Sequence, residues 1–227
     1  MSNRGENDFA RMPGFATKMY ANMTKAQPMQ IHFREVAQYL VSHLDGGRVL
    51  DVGTGPGRLL VELYNLSPAL ELYGLDISAG MVAIAQKNLA GTGADLRVGN
   101  IRTSPYENDF FDLVTSTGSF YLWNNPRESL DEIYRIIKPG HSAVIFDSHK
   151  DFDPVHLKQL MRENLRGEGW IKRKLMPRLL LKQLGMTYTV EEVTEIVHQT
   201  QFAPNFRIEK VTLANLPIYQ RIELTKG

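Results

Sequence analysis

Apolar positions along the chain change their period several times, and each change marks an element. From Gln30 to Leu44 the residues Ile31, Val36, Leu40, Val41 and Leu44 recur at helical spacing, and Gly46-Gly47 stops the pattern. Short apolar runs then alternate with helical stretches. The runs Arg48–Val52, Glu71–Asp76, Asp95–Gly99, Phe111–Ser116 and Ser142–Asp147 have the character of strands. Helices fall between them: one opens at Gly57, one covers Ala79–Ala90 and one covers Pro126–Ile137, where Asn125 suits the cap and Pro126 the first turn. Pro139-Gly140 ends that last helix. Such regular alternation predicts right-handed βαβ units and a parallel sheet covered on both faces.

The pattern breaks after Asp147. A mostly helical, basic stretch runs to about Gly185, and another helix follows from Thr189 to Gln201. Two alternating runs, Arg207–Leu213 and Ile218–Thr225, finish the chain, with Asn215-Leu216-Pro217 as a hairpin-like turn between them. At least one terminal strand is therefore expected to run antiparallel. The expected class is α/β: a Rossmann-like, doubly wound, seven-stranded sheet, mostly parallel, with an antiparallel last strand and a helical insertion after strand five. At 227 residues the chain suits one domain. Its parts are an N-terminal helical cap (1–45), a core (46–149), a basic insertion (150–187) and a closing helix with terminal strands (188–227).

Composition narrows the chemistry. Hydrophobic residues at 43% and charged residues at 22% are ordinary for a globular domain. With no cysteine, disulfides, thiolate metal sites and cysteine nucleophiles are all excluded. No apolar stretch reaches the length of a membrane span and the polar start has no signal-peptide core, so a cytoplasmic location is expected. The net charge of +1 conceals an asymmetry. Between Lys158 and Lys182 eight basic residues face two acidic ones, so this segment carries +6 and the remainder −5.

The stretch Arg48-Val-Leu-Asp-Val-Gly-Thr-Gly-Pro-Gly-Arg58 runs from an apolar strand through glycines spaced GxGxG into a helix. Backbone approaches a ligand closely where side chains are absent, which marks a nucleotide-type cofactor site. The dinucleotide fingerprint GxGxxG needs a third glycine where this chain has Arg58, and an oxidoreductase reading fails on that spacing. Asp76 ends the second strand about twenty residues on, where a carboxylate accepts ribose hydroxyls. Asn100, after the third strand, offers an amide to an adenine edge or forms a turn. Ser116-Thr117-Gly118 ends the fourth strand and leaves room beside the glycines.

Taken in order, VLDVGTGPG, LYGLDIS, RVGNI, FDLVTSTGSFYLW and RIIKPGH resemble the class I S-adenosylmethionine-dependent methyltransferases, most closely the small-molecule group that includes quinone-biosynthesis enzymes. The resemblance covers about residues 45–147. It implies a cofactor, S-adenosyl-L-methionine, cradled by Gly53, Thr54, Gly55 and Gly57, with Asp51 placing its amino acid end. It further implies ribose on Asp76, adenine between Ile77 and Ile101, Asn100 near the adenine amino group, and Thr117 beside the loop. Many relatives have Asp at the position of Asn100.

Methyl transfer is an in-line displacement, so alignment and exclusion of water dominate, and a base is needed only where the nucleophile must lose a proton. Three groups are the catalytic candidates. His149 follows the fifth strand and is either a general base or a hydrogen-bonded bystander. Tyr121, with Trp123, either stacks near substrate and sulfonium or belongs to the core. Tyr20 resembles the N-terminal tyrosine that lies over the methionine moiety in relatives.

His149, Asp151 and Asp153 alternate as metal ligands would, but no acidic residue follows the fourth strand as in metal-assisted relatives, and no metal is expected. His32 and His43 are expected to be surface or packing residues. The expected partner is a small-molecule methyl acceptor, lipophilic if the leucine-rich helix Leu179–Leu184 is its doorway. That basic helix is otherwise a lid solvating its charges, or a peripheral membrane contact through 171–184. RNA or protein methylation is the alternative, although Asn124-Asn125-Pro126-Arg127 lacks the [N/D]-P-P-[Y/F] motif of such enzymes. A non-catalytic binding protein conflicts with intact glycines and Asp76. Either a monomer or a homodimer is compatible with the chain.

Overall fold

The alternation of apolar runs and helices produces a seven-stranded sheet whose strand order is β3-β2-β1-β4-β5-β7-β6. The computed structural model describes residues 14–44, 46–164, 166–167 and 169–227. The elements in chain order are α1 (Gly14–Met23), α2 (Gln27–Val41), β1 (Arg48–Val52), α3 (Arg58–Leu66), β2 (Glu71–Asp76), α4 (Ala79–Asn88), β3 (Asp95–Val98) and β4 (Phe111–Thr117). They continue with α5 (Pro126–Ile136), β5 (Ile137–Ser148), α6 (Pro154–Asn164), α7 (Trp170–Leu184), α8 (Val190–His198), β6 (Phe206–Leu213) and β7 (Leu216–Thr225). β1 to β5 pair in parallel, while β7 runs antiparallel to both neighbours, β5 and β6.

Two cores cover the two faces. On one, Leu130, Ile133 and Ile136 of α5 with Val193 and Val197 of α8 pack on Leu50, Val114, Ile145 and Ile222 of the sheet. On the other, Val36, Ala37 and Leu40 of α2 with Leu59, Leu60 and Leu63 of α3 pack on Val49, Leu72, Leu113 and Phe146. Caps fix the helix starts as side-chain chemistry dictates: Asn125 Oδ1 accepts from Glu128 N, and Thr189 with Glu192 forms a reciprocal capping box.

Several expectations are corrected in detail. The burial stripe of α2 is His32, Val36, Ala37 and Leu40, and Ile31, half a turn round from Leu40, faces outward; the helix begins three residues earlier, at Gln27, with Pro28 in its first turn. His32 is a packing residue against Tyr219, its rings 4.8 Å apart, and burial lowers its pKa to about 4. β5 starts at Ile137, not Ser142; residues 138–141 form an irregularity between the Phe111↔Ile137 and Leu113↔Ser142 pairs. The terminal turn is Ala214-Asn215, and Leu216 and Pro217 already belong to β7. Both turn residues have positive φ, 48° and 61°, the pattern of a two-residue turn whose twist matches the strands it joins.

The insertion folds as α6 and α7 over a small core of Leu157, Met161, Leu184 and Ile218, with Leu180, Leu181, Leu216 and Tyr219 packed around it. Leu180, Leu181 and Leu184 thus pack beside β7, and the leucine-rich stretch is the last part of a longer helix that contains Pro177. No helix among the described residues is long and apolar enough to cross a membrane.

Gly57 shows how closely the first βα unit is packed. It caps α3 at φ +74°, and a Cβ there would stand 2.8 Å from Leu89 Cδ1 and 3.1 Å from Ala85 Cβ. Gly57→Ala is therefore expected to destabilise the fold by about 2 kcal/mol through backbone strain and overpacking. Urea unfolding measures this, and the midpoint should fall with little change of slope.

Candidate functional site

The sheet reverses its strand order between β1 and β4, so the loops leaving those strands diverge and open a crevice at their carboxyl ends. The chain leaves β1 through Gly53, Gly55 and Gly57, all at positive φ. Gly53 N and Thr54 N both donate to Leu75 O, at 2.7 and 3.2 Å, and Gly55 N donates to Asp76 Oδ2 at 2.8 Å. Ser78 N donates to the other Asp76 oxygen, also at 2.8 Å. One carboxylate thereby joins the glycine loop to the entrance of α4. A Cβ on Gly53 would collide with the Ser119 side chain, whereas one on Gly55 would meet nothing closer than 4.0 Å.

The crevice is open to solvent at its mouth and mostly apolar along its wall. Of the ten residues expected to hold a cofactor, Gly53, Gly55, Asp76, Ile77, Asn100, Ile101 and Thr117 line it. Asn100 Oδ1 also caps the short turn Ile101–Thr103 by accepting from Arg102 N at 3.0 Å. Thr117 Oγ1 is buried there without a partner.

Asp51, Thr54 and Gly57 are not on the wall. Gly57 packs α3 on α4, and the Thr54 methyl turns under the loop toward Gly74. Asp51 lies beneath the loop, 2% exposed, beside the Thr54 hydroxyl. Burial pushes its carboxyl up to about 7, opposed by a bond from the Thr54 side chain and reinforced by the nearby Asp76 charge. Burial also raises the Asp76 carboxyl, opposed by the N–H groups of Ser78 and Gly55.

The catalytic candidates fare differently. Trp123 lines the cleft; its Nε1 donates to Ser119 Oγ at 3.3 Å and its ring packs edge-on against Phe120. Tyr121 is buried behind the wall, with its N–H donated to Asp147 Oδ2 at 2.8 Å. His149 is 1% exposed and likewise off the cleft. Its Nδ1 accepts the Asp151 N–H at 3.1 Å, which leaves the ring proton on Nε2, buried without a partner. Burial, then Lys210, lowers its pKa. The one basic lone pair is thus occupied, a placement that suits a structural histidine. Tyr20 is on α1, but its side chain lies outside the described residues. α1 itself rests on α4, where buried Thr17 meets Gly80.

Asp151 and Asp153 are used by the fold: their carboxylates accept from Val190 N and Val155 N at helix starts. Ser119 was missed from sequence. Its hydroxyl donates to Val52 O at 3.1 Å and bonds Ser116 and Trp123, so it ties the β4 exit to the glycine loop. A serine in a loop carries no period that would announce this. Leu122, Met81 and Ser129 also line the wall without a sequence signal.

Residues 50–145 match the methyltransferase domain family model. The matched stretch, under half of the chain, is similar to that family's domain. An uncharacterized methyltransferase of Bacillus subtilis, YdaC, is 32% identical over 108 residues, 48% of this chain and 60% of that one. The ubiquinone/menaquinone biosynthesis C-methyltransferase UbiE of Geobacter sulfurreducens is 33% identical over 108 residues, 45% of this chain and 42% of that protein. The aligned part therefore spans about half the length of these relatives. Among solved structures, a putative S-adenosyl-L-methionine-dependent methyltransferase of Methanococcus maripaludis superposes with a TM-score of 0.71 at 22% identity over 94% of this chain and 93% of that one. The plantazolicin methyltransferase BpumL gives 0.72 at 15% identity over 99% and 95%. These likenesses establish that the methyltransferase fold extends through the insertion and the terminal strands.

Asp147, 1% exposed at the end of β5, has its carboxyl pushed up to about 7 by burial, against backbone N–H donors from Tyr121, Ser148 and Phe120. A folded value above the unfolded one stabilises the protein below about pH 4, and this is lost as pH rises through about 7. Asp147→Asn should flatten that decline. Urea titrations across pH are expected to show the variant gaining on wild type from acid to mildly alkaline conditions.

Proposed function

We propose that this chain transfers a methyl group from S-adenosyl-L-methionine to an oxygen, nitrogen or carbon of a small lipophilic molecule. The observation that carries the reading is the carboxylate of Asp76, held at the cleft wall by two N–H groups with lone pairs remaining for a pair of ribose hydroxyls. Two further features fit the same group. Gly55 leaves its backbone open to close approach, and the Asp51 carboxylate beneath the loop would favour the ammonium of an amino acid end through its charge. Ile77 and Ile101 would flank the adenine, with Asn100 at its edge.

When bound, the cofactor supplies a methyl group on a positively charged sulfur. The protein's contribution is alignment and dryness. Val52, Leu75, Leu122 and Trp123 make the wall apolar, and the Trp123 indole favours a cation beside its face. Among the described residues, Asp76 is the one titratable side chain lining the cleft. With His149 and Tyr121 behind the wall, we assign them to holding the end of β5 rather than to proton transfer, so the acceptor arrives with its nucleophilic electron pair available. The small-molecule class is supported by the quinone-biosynthesis and plantazolicin names of the relatives, and a lipophilic acceptor by the quinone-biosynthesis names.

A cofactor-hydrolase-coupled assay against phenols, quinol precursors, amines and lipids tests the reaction; turnover with none of them would refute it. On any accepted substrate, His149→Asn, which keeps an acceptor for the Asp151 N–H, is expected to retain kcat within about fivefold. A loss of about a hundredfold or more would restore the base role.

Asp51 gives a pH signature. A cationic ligand favours its ionised form, so cofactor affinity should rise as pH passes upward through about 7 and then level off. Calorimetry on wild type and Asp51→Asn checks this: the variant should bind more weakly and lose the dependence.

A further inference from the structure

The basic insertion is not absorbed by the methyl-transfer reading. Its core fastens one end of the helix pair to β7 through Leu157, Met161, Leu180, Leu181 and Leu184. The other end, where α6 hands over to α7, carries a groove lined by Arg162, Arg166, Trp170, Arg173 and Lys174. Every lining residue is a cation or tryptophan. All five are exposed, Trp170 at 73%, the most exposed aromatic among the described residues. Glu163, the nearest acid on α6, turns along its own helix toward Gln159.

An indole in water surrounded by guanidinium and ammonium groups loses apolar burial that it regains at a bilayer interface, where tryptophan sits at headgroup depth. Arginine and lysine beside it meet anionic headgroups. The exposed indole decides between polyanions. The segment 158–182 carries +6 against −5 for the remainder, and a tryptophan set among cations matches the apolar and anionic layers of a bilayer interface together.

We propose that the tip of the α6–α7 hairpin is a docking surface for anionic membranes, with Trp170 entering the interface and Arg162, Arg166, Arg173 and Lys174 contacting lipid headgroups. This orients the molecule by its insertion, beside the terminal strands. It stands apart from the methyl-transfer reading, since docking needs neither cofactor nor acceptor.

Sedimentation of the full chain with phosphatidylglycerol-containing vesicles tests it. At low salt the protein should pellet with those vesicles and not with pure phosphatidylcholine, and high salt should release it. The double variant R173E/K174E should lower partitioning about tenfold or more, and W170A several-fold, with unchanged circular dichroism and melting. Because Trp123 is buried, a blue shift of fluorescence on docking reports Trp170, and W170F should remove it. The proposal is overturned if anionic vesicles leave the protein in the supernatant at low salt. It is equally overturned if R173E/K174E pellets like wild type, or if the chain binds transfer RNA and ignores vesicles.

Discussion

A single carboxylate organises the crevice at the carboxyl ends of the strands. Asp76 receives the N–H of Gly55 on one oxygen and of Ser78 on the other, both at 2.8 Å. It therefore fixes the glycine loop after β1 relative to the start of α4. The same junction is reinforced by Leu75 O, which accepts from Gly53 N and Thr54 N. Without these bonds a loop of three glycines at positive φ would be free to collapse or wander, because glycine is the least restricted of residues. Burial of Asp76 strengthens the arrangement: a half-desolvated carboxylate is costly unless donors surround it, so the loop and the helix entrance are obliged to supply them.

Much of the fold was legible because its signals are local. Five strands, the helices between them and the antiparallel end follow from runs of apolar residues, the Asn125 cap and glycine punctuation. What failed also has a local cause. The Asn215-Leu216-Pro217 reading followed the Pro as a breaker, whereas the turn belongs to Ala214-Asn215, with an alanine in a conformation its type disfavours. Ala214 is held there by its N–H bond to Glu35 Oε2, a contact from 179 residues away that no window of sequence contains.

The site divides in the same manner. Residues whose role depends on backbone geometry at a strand end, Gly53, Gly55, Asp76, Ile77, Asn100, Ile101 and Thr117, were found on the wall. Gly57 and Thr54 belong to the same motif, but their side of the loop faces the protein. His149 and Tyr121 were singled out for chemistry that their type can perform. Three-dimensional packing instead buries both side chains off the cleft, with His149 Nδ1 accepting the Asp151 N–H and the Tyr121 backbone N–H donated to Asp147. Ser119 could not be found from sequence, since its three hydrogen-bond contacts arise only when the β4 exit folds over Val52.

The central claim is that the cleft beside Asp76 binds S-adenosylmethionine. A crystal structure of the protein grown with S-adenosylhomocysteine tests it most directly. The account predicts the ribose hydroxyls on the Asp76 carboxylate, the adenine between Ile77 and Ile101, and the ammonium toward Asp51. Ligand found elsewhere on the molecule, or an Asp76 carboxylate that makes no contact with the ribose, would contradict it.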